Sequence, residues 1–306
     1  MAVFAENPIM LHIHNIASLD LPELAPYRTL RRPFEHEEQG IFVAEGDKVV
    51  RRLLASHFGV VSVLLPGNRL AEFEPLLRAR PERELHAYCI AKKSILEALV
   101  GFEMFQGVLA IGQIPAQLPL GRILAGSPPP WLVVAMDALS NAENLGVLVR
   151  NCAAFGTHAL IVGETCSSPF LRRAVRNSMG TIFQLPVHEV RSRRGEVSIP
   201  HHADGRMKRR DDPVGTLAGT LHELRANGVR CLAAHPRPDS RPLSGADFSG
   251  DVCIVLGSEG SGVSKAVLEA CDETVAIPMA NGVDSLNVGA AAAVFLYEAN
   301  RQRGKA

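Results

Sequence analysis

Residues 277–298, with the sequence IPMANGVDSLNVGAAAAVFLYE, decide the fold class of this 306-residue chain. Asn281 and the glycine after it predict a tight turn. Ser285 and Asn287 stand before a long apolar stretch without proline, which predicts a helix, and both are residue types that cap helices. The small residues 289–293 let another backbone pass close by, so we expect this helix at a tight crossing or at a contact between two copies.

A glycine-rich loop, residues 255–264 with the sequence VLGSEGSGVS, lies between a predicted strand and a predicted helix. Because Gly257, Gly260 and Gly262 have no side chains, their backbone N–H groups can approach a ligand closely. The spacing matches neither the GxGxxG dinucleotide fingerprint nor the P-loop, so a nucleotide-like ligand and a simple tight turn both stay open. Glu259 in this loop is expected to be an exposed acid.

A third segment, residues 141–156 with the sequence NAENLGVLVRNCAAFG, covers the end of a strand and the start of a helix. Asn144 is a residue type that caps a helix N-terminus. Arg150 lies off the apolar stripe of the helix, where a solvated arginine is the ordinary interpretation. All three segments follow predicted parallel strands, and ligands of open α/β sheets bind at that edge. Together the segments predict a binding site.

The rest of the chain alternates between strand and helix patterns, which is typical of an α/β protein. After an irregular start, strands are predicted at 41–44, 60–65, 85–90 and 108–113, with helices at 49–54, 69–78 and 92–99. Further strands are predicted at 131–136, 158–162, 182–187, 230–234 and 252–256, with helices at 144–155, 170–177 and after 287. These patterns predict a small N-terminal α/β domain and a C-terminal domain with a parallel sheet.

The predicted domain boundaries follow the composition. Residues 115–130 begin with a proline and end in three consecutive prolines, which is typical of a linker. We therefore expect an N-terminal domain over residues 1–114 and a C-terminal domain over residues 131–306. Residues 191–214 interrupt the second domain with many arginines and few apolar residues, which predicts a mobile, solvated insertion.

Composition limits the class of protein but leaves the function open. Lys plus Arg and Asp plus Glu number 32 each, so the bulk charge does not indicate a polyanionic partner. The apolar runs are far shorter than the roughly 20 residues of a membrane span, and the N-terminus lacks a basic targeting segment. Six dispersed cysteines without a CxxC pair predict reduced thiols in a cytoplasmic protein. His201, His202 and Asp204 lack a clear fourth ligand, so no metal site is predicted.

In their order and content, the three segments resemble the SpoU family of RNA ribose methyltransferases, also called TrmH, within the knotted SPOUT superfamily. The family pattern NxGxxxR corresponds to Asn144, Gly146 and Arg150. The second and third family motifs correspond to residues 255–264 and 277–298. The sequence RNSMGTIFQLPV, which precedes the insertion, is also similar to the segment between the family's motifs.

The resemblance covers residues 131–303 and is softer at residues 42–54, which are similar to the family's smaller RNA-binding domain. It implies a C-terminal domain with a trefoil knot that binds S-adenosylmethionine, and a homodimer with its active site near the subunit interface. The positions that match the family's cofactor site are Gly257, Ile277 and Leu286. The implied reaction transfers a methyl group from S-adenosylmethionine to a ribose 2′-hydroxyl of ribosomal or transfer RNA, without a metal.

The resemblance implies that Arg150 generates or stabilises the ribose alkoxide. An arginine side chain has a pKa above about 12, so it is better suited to stabilising negative charge than to accepting a proton, although both roles stay open. The other polar positions that match the family are expected to orient the ribose, Arg150 and the loops; they are Asn144, Glu259, Ser285 and Asn287.

Two other functions stay open from the sequence. A non-catalytic RNA-binding or assembly protein on the same fold would bind RNA and never the cofactor, and the intact polar positions argue against it. A nicotinamide-dependent oxidoreductase is supported only by the glycine-rich loop, whose spacing does not fit.

Three basic stretches are candidates for phosphate contacts or are simply solvated faces: the arginine pairs at residues 31–32 and 51–52, and residues 206–210. The sequence identifies neither the RNA nor the nucleotide. Methylation of a base, by a divergent member of the family, also stays open.

Overall fold

The computed structural model describes residues 9–91, 107–190, 215–237, 239–280 and 282–305. The chain divides into two compact units. The first unit contains Met1–Ala116 and Pro169–Gln184, and the second contains Gln117–Ser168 and Leu185–Ala306. Each unit has its own sheet. Residues 169–184 therefore belong with the first unit, whereas the sequence predicted that they form part of the C-terminal domain.

The helices and strands are numbered along the described residues. The strands are β1 Met10–Ile16, β2 Ile41–Glu45, β3 Val60–Pro66, β4 Glu84–Ile90, β5 Leu109–Gln113, β6 Leu132–Met136, β7 Ala159–Val162, β8 Val187–Glu189, β9 Arg230–Ala234, β10 Arg241–Pro242, β11 Val252–Leu256 and β12 Glu273–Ala276. The helices are α1 Ala25–Arg28, α2 Pro33–Glu38, α3 Asp47–Leu54, α4 Leu70–Arg78, α5 Leu120–Leu124, α6 Ala142–Ala154, α7 Arg172–Asn177, α8 Leu217–Ala226, α9 Lys265–Glu269 and α10 Val288–Gln302.

The first unit is built on a five-stranded sheet with the order β1-β4-β3-β5-β2. Strands β1, β4 and β3 are parallel, whereas β5 is antiparallel to β3 and β2. The small α/β domain expected from the sequence is confirmed, but the expected irregular start is wrong, because residues 10–16 form β1. Within the described ranges this strand pairs only with β4, at the sheet edge, and it carries polar residues on both faces, so its apolar pattern is weak. The helix predicted at 92–99 lies outside the described residues.

Residues 169–184 pack against the first unit through aromatic rings and a buried acid. The rings of Phe170 and Phe183 lie with their centroids 5.7 Å and 5.5 Å from that of Phe42. Glu45, which is buried, accepts hydrogen bonds from Arg172 (2.5 Å) and Arg176 (2.8 Å). A buried carboxylate needs such partners to offset its loss of hydration. These contacts explain why the segment belongs with β2 and its neighbours.

The strand predicted at 182–187 is largely wrong. Residues 181–184 form a short 3-10 helix, and β8 begins only at Val187. Met179 and Gly180 have positive φ angles of 55° and 80°, which turn the chain sharply before this helix. The apolar residues that suggested a strand instead enter the core, where Ile182 and Phe183 are buried. Tertiary packing therefore overrides the local β-propensity.

The second unit contains a seven-stranded sheet with the order β10-β12-β9-β11-β6-β7-β8. Every pairing between these strands is parallel. The central strands β6 and β11 are buried along their whole length, as expected of parallel strands covered on both faces. This confirms the predicted parallel α/β architecture. Helix α5 lies inside the segment predicted to be a linker, and its Ile123 and Leu124 join the core of the second unit.

Helices α6 and α10 cross closely, as the run of small residues predicted. A Cβ atom added at Gly289 would lie 2.6 Å from Val147 Cγ1. Asn151 Nδ2 donates a hydrogen bond of 2.6 Å to the Gly289 carbonyl. Just after α10, Arg303 donates hydrogen bonds to four carbonyl oxygens, those of Pro130, Trp131, Phe248 and Gly250. The trefoil knot that the family resemblance implies stays a prediction.

The described residues contain no helix that is long and apolar enough to cross a membrane. The six cysteines are free thiols, and Cys89, Cys152, Cys231 and Cys253 are buried. Burial raises the pKa of the Cys152 thiol to about 12, so this side chain stays protonated and acts as a small apolar group. The predicted insertion at 191–214 lies outside the described residues.

Three histidines and a tyrosine form a stack of rings on one face of β1 and β4. The ring centroids of His12 and His86 are 4.9 Å apart, and so are those of His14 and Tyr88. His14 Nε2 lies 3.0 Å from His86 Nδ1. Burial lowers the pKa of His86, and repulsion from His12 and His14 lowers it further.

Acid is therefore expected to destabilise the first unit. In the unfolded chain His86 titrates near its ordinary pKa of about 6.5, whereas the folded protein resists its protonation. The stabilising contribution of neutral His86 is complete above that pH and is lost as the pH falls through the lower pKa of the folded state. We expect the urea midpoint of unfolding, followed by circular dichroism, to fall less between pH 7.5 and pH 5 in His86→Gln than in the native sequence. Equal falls would contradict this prediction.

Candidate active site

The three polar segments lie together at the carboxyl edge of the second unit's parallel sheet. The loops that follow β11 and β12, together with the start of α10, line a cavity of about 330 Å³. The predicted cofactor positions Gly257, Ile277 and Leu286 all line this cavity. Apolar lining comes also from the ends of β9, β11 and β12 and from the side chain of Phe295. The edge of the sheet predicted to hold a ligand therefore has room for one.

The glycine-rich loop is a tight turn whose own backbone forms part of the cavity lining. Ser258 N donates to the Gly262 carbonyl at 3.2 Å, and Gly262 N donates to the Ser258 carbonyl at 2.9 Å. A Cβ atom at Gly257 would lie 2.1 Å from the Gly262 carbonyl carbon, which no real structure tolerates. The two interpretations left open by the sequence, a tight turn and a ligand-binding loop, are thus compatible.

Three of the predicted polar residues, one from each motif, form a chain of hydrogen bonds. Asn144 Nδ2 donates to Glu259 Oε1. Asn287 Nδ2 donates to Asn144 Oδ1 at 2.9 Å, while Asn287 Oδ1 accepts from Gly289 N at 2.9 Å. Asn287 therefore caps α10, as its residue type indicated, and also holds Asn144. The alternative role of Asn144 as a cap is wrong, because Asn141 caps α6 by accepting from the backbone N–H of residues 143 and 144.

The other two predicted polar residues occupy different positions. Ser285 is exposed and lines the cavity. Arg150 is exposed on α6, does not line the cavity, and makes no hydrogen bond or ion pair within the described part of the chain. The structure thus brings seven of the eight predicted residues to one cavity or its hydrogen-bonded border, and it leaves the Arg150 guanidinium in solvent.

Asp137, which the sequence analysis missed, fixes the glycine-rich loop to the sheet. This aspartate follows β6, is only 5% exposed, and accepts a hydrogen bond of 2.7 Å from Ser264 N through Oδ2. Its own N–H donates to the Leu256 carbonyl at 2.9 Å. An acid directly after a fully apolar strand was the signal available in the sequence, since a buried carboxylate is stable only when backbone or cationic donors surround it.

His235, at the end of β9, is a second residue that the sequence analysis missed. It lines the cavity, and its buried Nδ1 atom has no hydrogen-bond partner among the described residues. Burial lowers the pKa of His235, and the nearby charge of Arg237 lowers it further. His235 is therefore a neutral side chain near pH 7. The only signal for His235 in the sequence is that a polar residue directly follows the largely apolar strand RCLAA.

No group of three or more histidine, cysteine or acidic side chains in the described ranges has an arrangement that would hold a metal ion. The residues considered for a metal site in the sequence, His201, His202 and Asp204, lie outside those ranges.

Replacing Gly257 with alanine is expected to disrupt the loop, because the added methyl group would overlap the backbone of Gly262. We expect destabilisation of about 2 kcal/mol or more, and faster hydrogen exchange in peptides that cover residues 255–264. Gly260→Ala is the matched control, since a Cβ atom there meets nothing within 4 Å. Mass spectrometry after deuterium labelling and thermal unfolding would measure both effects. Equal behaviour of the two variants would show that the close approach at Gly257 is not essential.

Comparison with known proteins gives the same family as the motifs. The model of the SpoU rRNA Methylase family matches residues 131–206 and 202–297. An uncharacterized tRNA/rRNA methyltransferase of Mycobacterium bovis is 30% identical over 304 residues, covering 97% of this chain and 95% of that protein. The 23S rRNA (guanosine-2'-O-)-methyltransferase RlmB of Ralstonia nicotianae is 33% identical over 209 residues, covering 68% of this chain and 74% of RlmB.

A solved structure shows the same fold over nearly the whole chain. The SpoU methyltransferase AviRb from Streptomyces viridochromogenes is 26% identical, with a TM-score of 0.70 over 90% of this chain and 95% of AviRb. AviRb in complex with the cofactor AdoMet superposes with a TM-score of 0.72 at 23% identity, over 92% of this chain and 100% of that one. Since the family model covers more than half of the chain and a full-length relative is 30% identical, this protein belongs to the SpoU rRNA methylase family of RNA methyltransferases.

Proposed function

We propose that this protein transfers a methyl group from S-adenosylmethionine to a ribose 2′-hydroxyl of ribosomal or transfer RNA. The observation that carries the proposal is the hydrogen-bonded chain of Asn287, Asn144 and Glu259 beside the cavity. This chain joins all three motifs at one place. RlmB is named as a guanosine-2'-O-methyltransferase, and AviRb has been solved with AdoMet, which supports the same reaction and cofactor here.

The residues of the cavity fit S-adenosylmethionine. Leu256, Ile277 and Leu286 provide apolar surface for a flat adenine ring, while the glycine-rich loop provides backbone groups for its polar edge. The volume of about 330 Å³ lies at the lower end of the range for small-molecule sites. The carboxylates of Glu259 and Asp284 suit a ligand with positive charge. When bound, the cofactor supplies an activated methyl group on a positively charged sulfur.

The polar residues then act by positioning. Asn144 is held at both ends, since its amide donates to Glu259 and its carbonyl accepts from Asn287. Such a fixed amide presents its remaining hydrogen-bonding capacity in one direction, which favours alignment of the ribose hydroxyl with the methyl group. Ser285 lies exposed on the opposite loop of the cavity and offers a hydroxyl to the same ligand or to the ribose.

Arg150 is assigned the stabilisation of negative charge that develops on the ribose oxygen. The guanidinium is exposed and is therefore accessible to the RNA. A cation that contacts the reacting oxygen lowers the barrier because charge develops there only in the transition state.

Arg150→Ala is expected to lower the rate of methyl transfer by about a hundredfold or more while leaving the affinity for S-adenosylmethionine unchanged. Labelled methyl incorporation into unmodified ribosomal and transfer RNA would measure the rate, and titration calorimetry the affinity. Arg122→Ala, which removes an exposed arginine from α5 of the same unit, is the control. Transfer that survives Arg150→Ala would refute the proposed role.

The position of the methyl group decides between the remaining functions. A product nucleotide that resists alkaline hydrolysis at its 3′ phosphodiester carries a 2′-O-methyl group, whereas a methylated base does not confer this resistance. A protein that binds RNA and never S-adenosylmethionine would instead support the non-catalytic alternative.

We also propose a homodimer that works in the cytoplasm and holds RNA partly through the first unit. Large apolar side chains are exposed on the crossing helices: Val147 on α6, and Val294 and Tyr297 on α10. Val294 and Tyr297 are three residues apart and share one face of α10. Exposed apolar groups of this kind mark contact surfaces.

Arg51, a candidate for phosphate contact, is already paired with Asp47 and Glu72, which favours other cations for that role.

The double substitution Val294→Glu and Tyr297→Glu is expected to convert the dimer to a monomer, because it places charge in a surface that must lose water. Size-exclusion chromatography with light scattering would measure the mass. Val61→Glu, at an exposed apolar position of β3 in the first unit, is the control and should leave the mass unchanged. A native protein that is monomeric at micromolar concentration would contradict the dimer.

A further inference from the structure

The lining of the cavity is negatively charged. Its titratable side chains are His235, Glu259 and Asp284, and no lysine or arginine is found among its lining residues in the part of the chain that the structure describes. His235 does not offset the two carboxylates near pH 7, because burial and the neighbouring Arg237 lower its pKa and keep it neutral. A cavity with this lining attracts a cation more strongly than a neutral molecule of the same shape.

The two carboxylates differ in their surroundings. Glu259 accepts a hydrogen bond from Asn144, which is itself held by Asn287. Asp284 lines the cavity, is exposed, and has no hydrogen bond or ion pair with any described residue. Asp284 is therefore the carboxylate that remains available to a ligand.

We propose that Asp284 makes the cavity prefer the cationic methyl donor to the neutral thioether that transfer leaves behind. This inference rests on the function proposed above. In the transfer, the new bond joins the methyl carbon to the ribose oxygen, the bond from that carbon to sulfur breaks, and sulfur keeps the electron pair. The hydroxyl proton is released to water, and the ligand loses one positive charge while Asp284 keeps its negative charge.

The consequence is that the attraction to Asp284 operates before transfer and is absent afterwards. The product, S-adenosylhomocysteine, is then held less tightly than the donor, which favours its release. Because Asp284 is exposed, water screens the attraction, and we expect a preference of about twofold to fivefold rather than a large factor. The preference should decrease with salt for the same reason.

Three ligands separate this effect from ordinary contacts. S-adenosylmethionine is charged at sulfur, sinefungin carries an ammonium group at the equivalent place, and S-adenosylhomocysteine is neutral there, while all three share the adenosine and amino-acid parts. Titration calorimetry with the full chain should show that Asp284→Asn weakens the two cationic ligands about twofold to fivefold and leaves S-adenosylhomocysteine nearly unchanged. Asp284→Glu should retain most of the preference.

Two controls define the result. Glu223→Gln removes one negative charge from an exposed position of α8 outside the cavity and should change none of the affinities. Binding of S-adenosylhomocysteine by Asp284→Asn shows that the cavity is still folded. Equal weakening of all three ligands, or of none, would overturn the assignment of Asp284 and leave the proposed function standing. Failure of the native protein to bind any of the three would refute the proposed function, and the inference with it.

Discussion

The crossing of α6 and α10 at Gly289 determines the rest of the site. A Cβ atom at this position would lie 2.6 Å from Val147 Cγ1, so a larger residue would require the Val147 side chain or the helices to move. The crossing brings Asn287, the cap of α10, within 2.9 Å of Asn144 on α6. Since Asn144 in turn bonds to Glu259, a packing requirement between two helices sets the positions of polar groups from three separate parts of the sequence. The polar geometry is thus a consequence of close backbone packing.

The two sides of the cavity are held very differently. The glycine-rich loop is fixed by its own backbone hydrogen bonds and by Asp137, which accepts from Ser264 N at 2.7 Å and lies directly after β6. The opposite side, residues 283–287, is exposed; Val283 N donates to the Ala280 carbonyl at 3.2 Å, and the side chain of Asn287 bonds to Asn144 and to Gly289 N. A fixed wall can set the orientation of a ligand, while an exposed one can admit it and let it leave.

The parallel sheet, the tight helix crossing and the meeting of the motifs were predictable because each depends on local pattern and on the common direction of parallel strands. The placement of residues 169–184 was not, since it depends on the ring contacts of Phe42 with Phe170 and Phe183, which are distant in sequence. The polar edge strand β1 has no clear apolar alternation. His235 and Asp137 act through burial and through backbone partners, and neither is visible from residue type alone.

The distribution of charge resolves a conflict inherent in this chemistry. An RNA substrate and a forming alkoxide are negative and require cations, whereas the methyl donor is positive and is repelled by them. Arg150 lies outside the cavity, where it is accessible to RNA, and the cavity lining has carboxylates in place of cations. Glu259 lines the cavity and is bonded to the neutral amide of Asn144 rather than to an arginine, so no cation neutralises its carboxylate there. In the proposed reaction, neutral amides align the reacting groups, and the opposite charges that each ligand requires are kept apart.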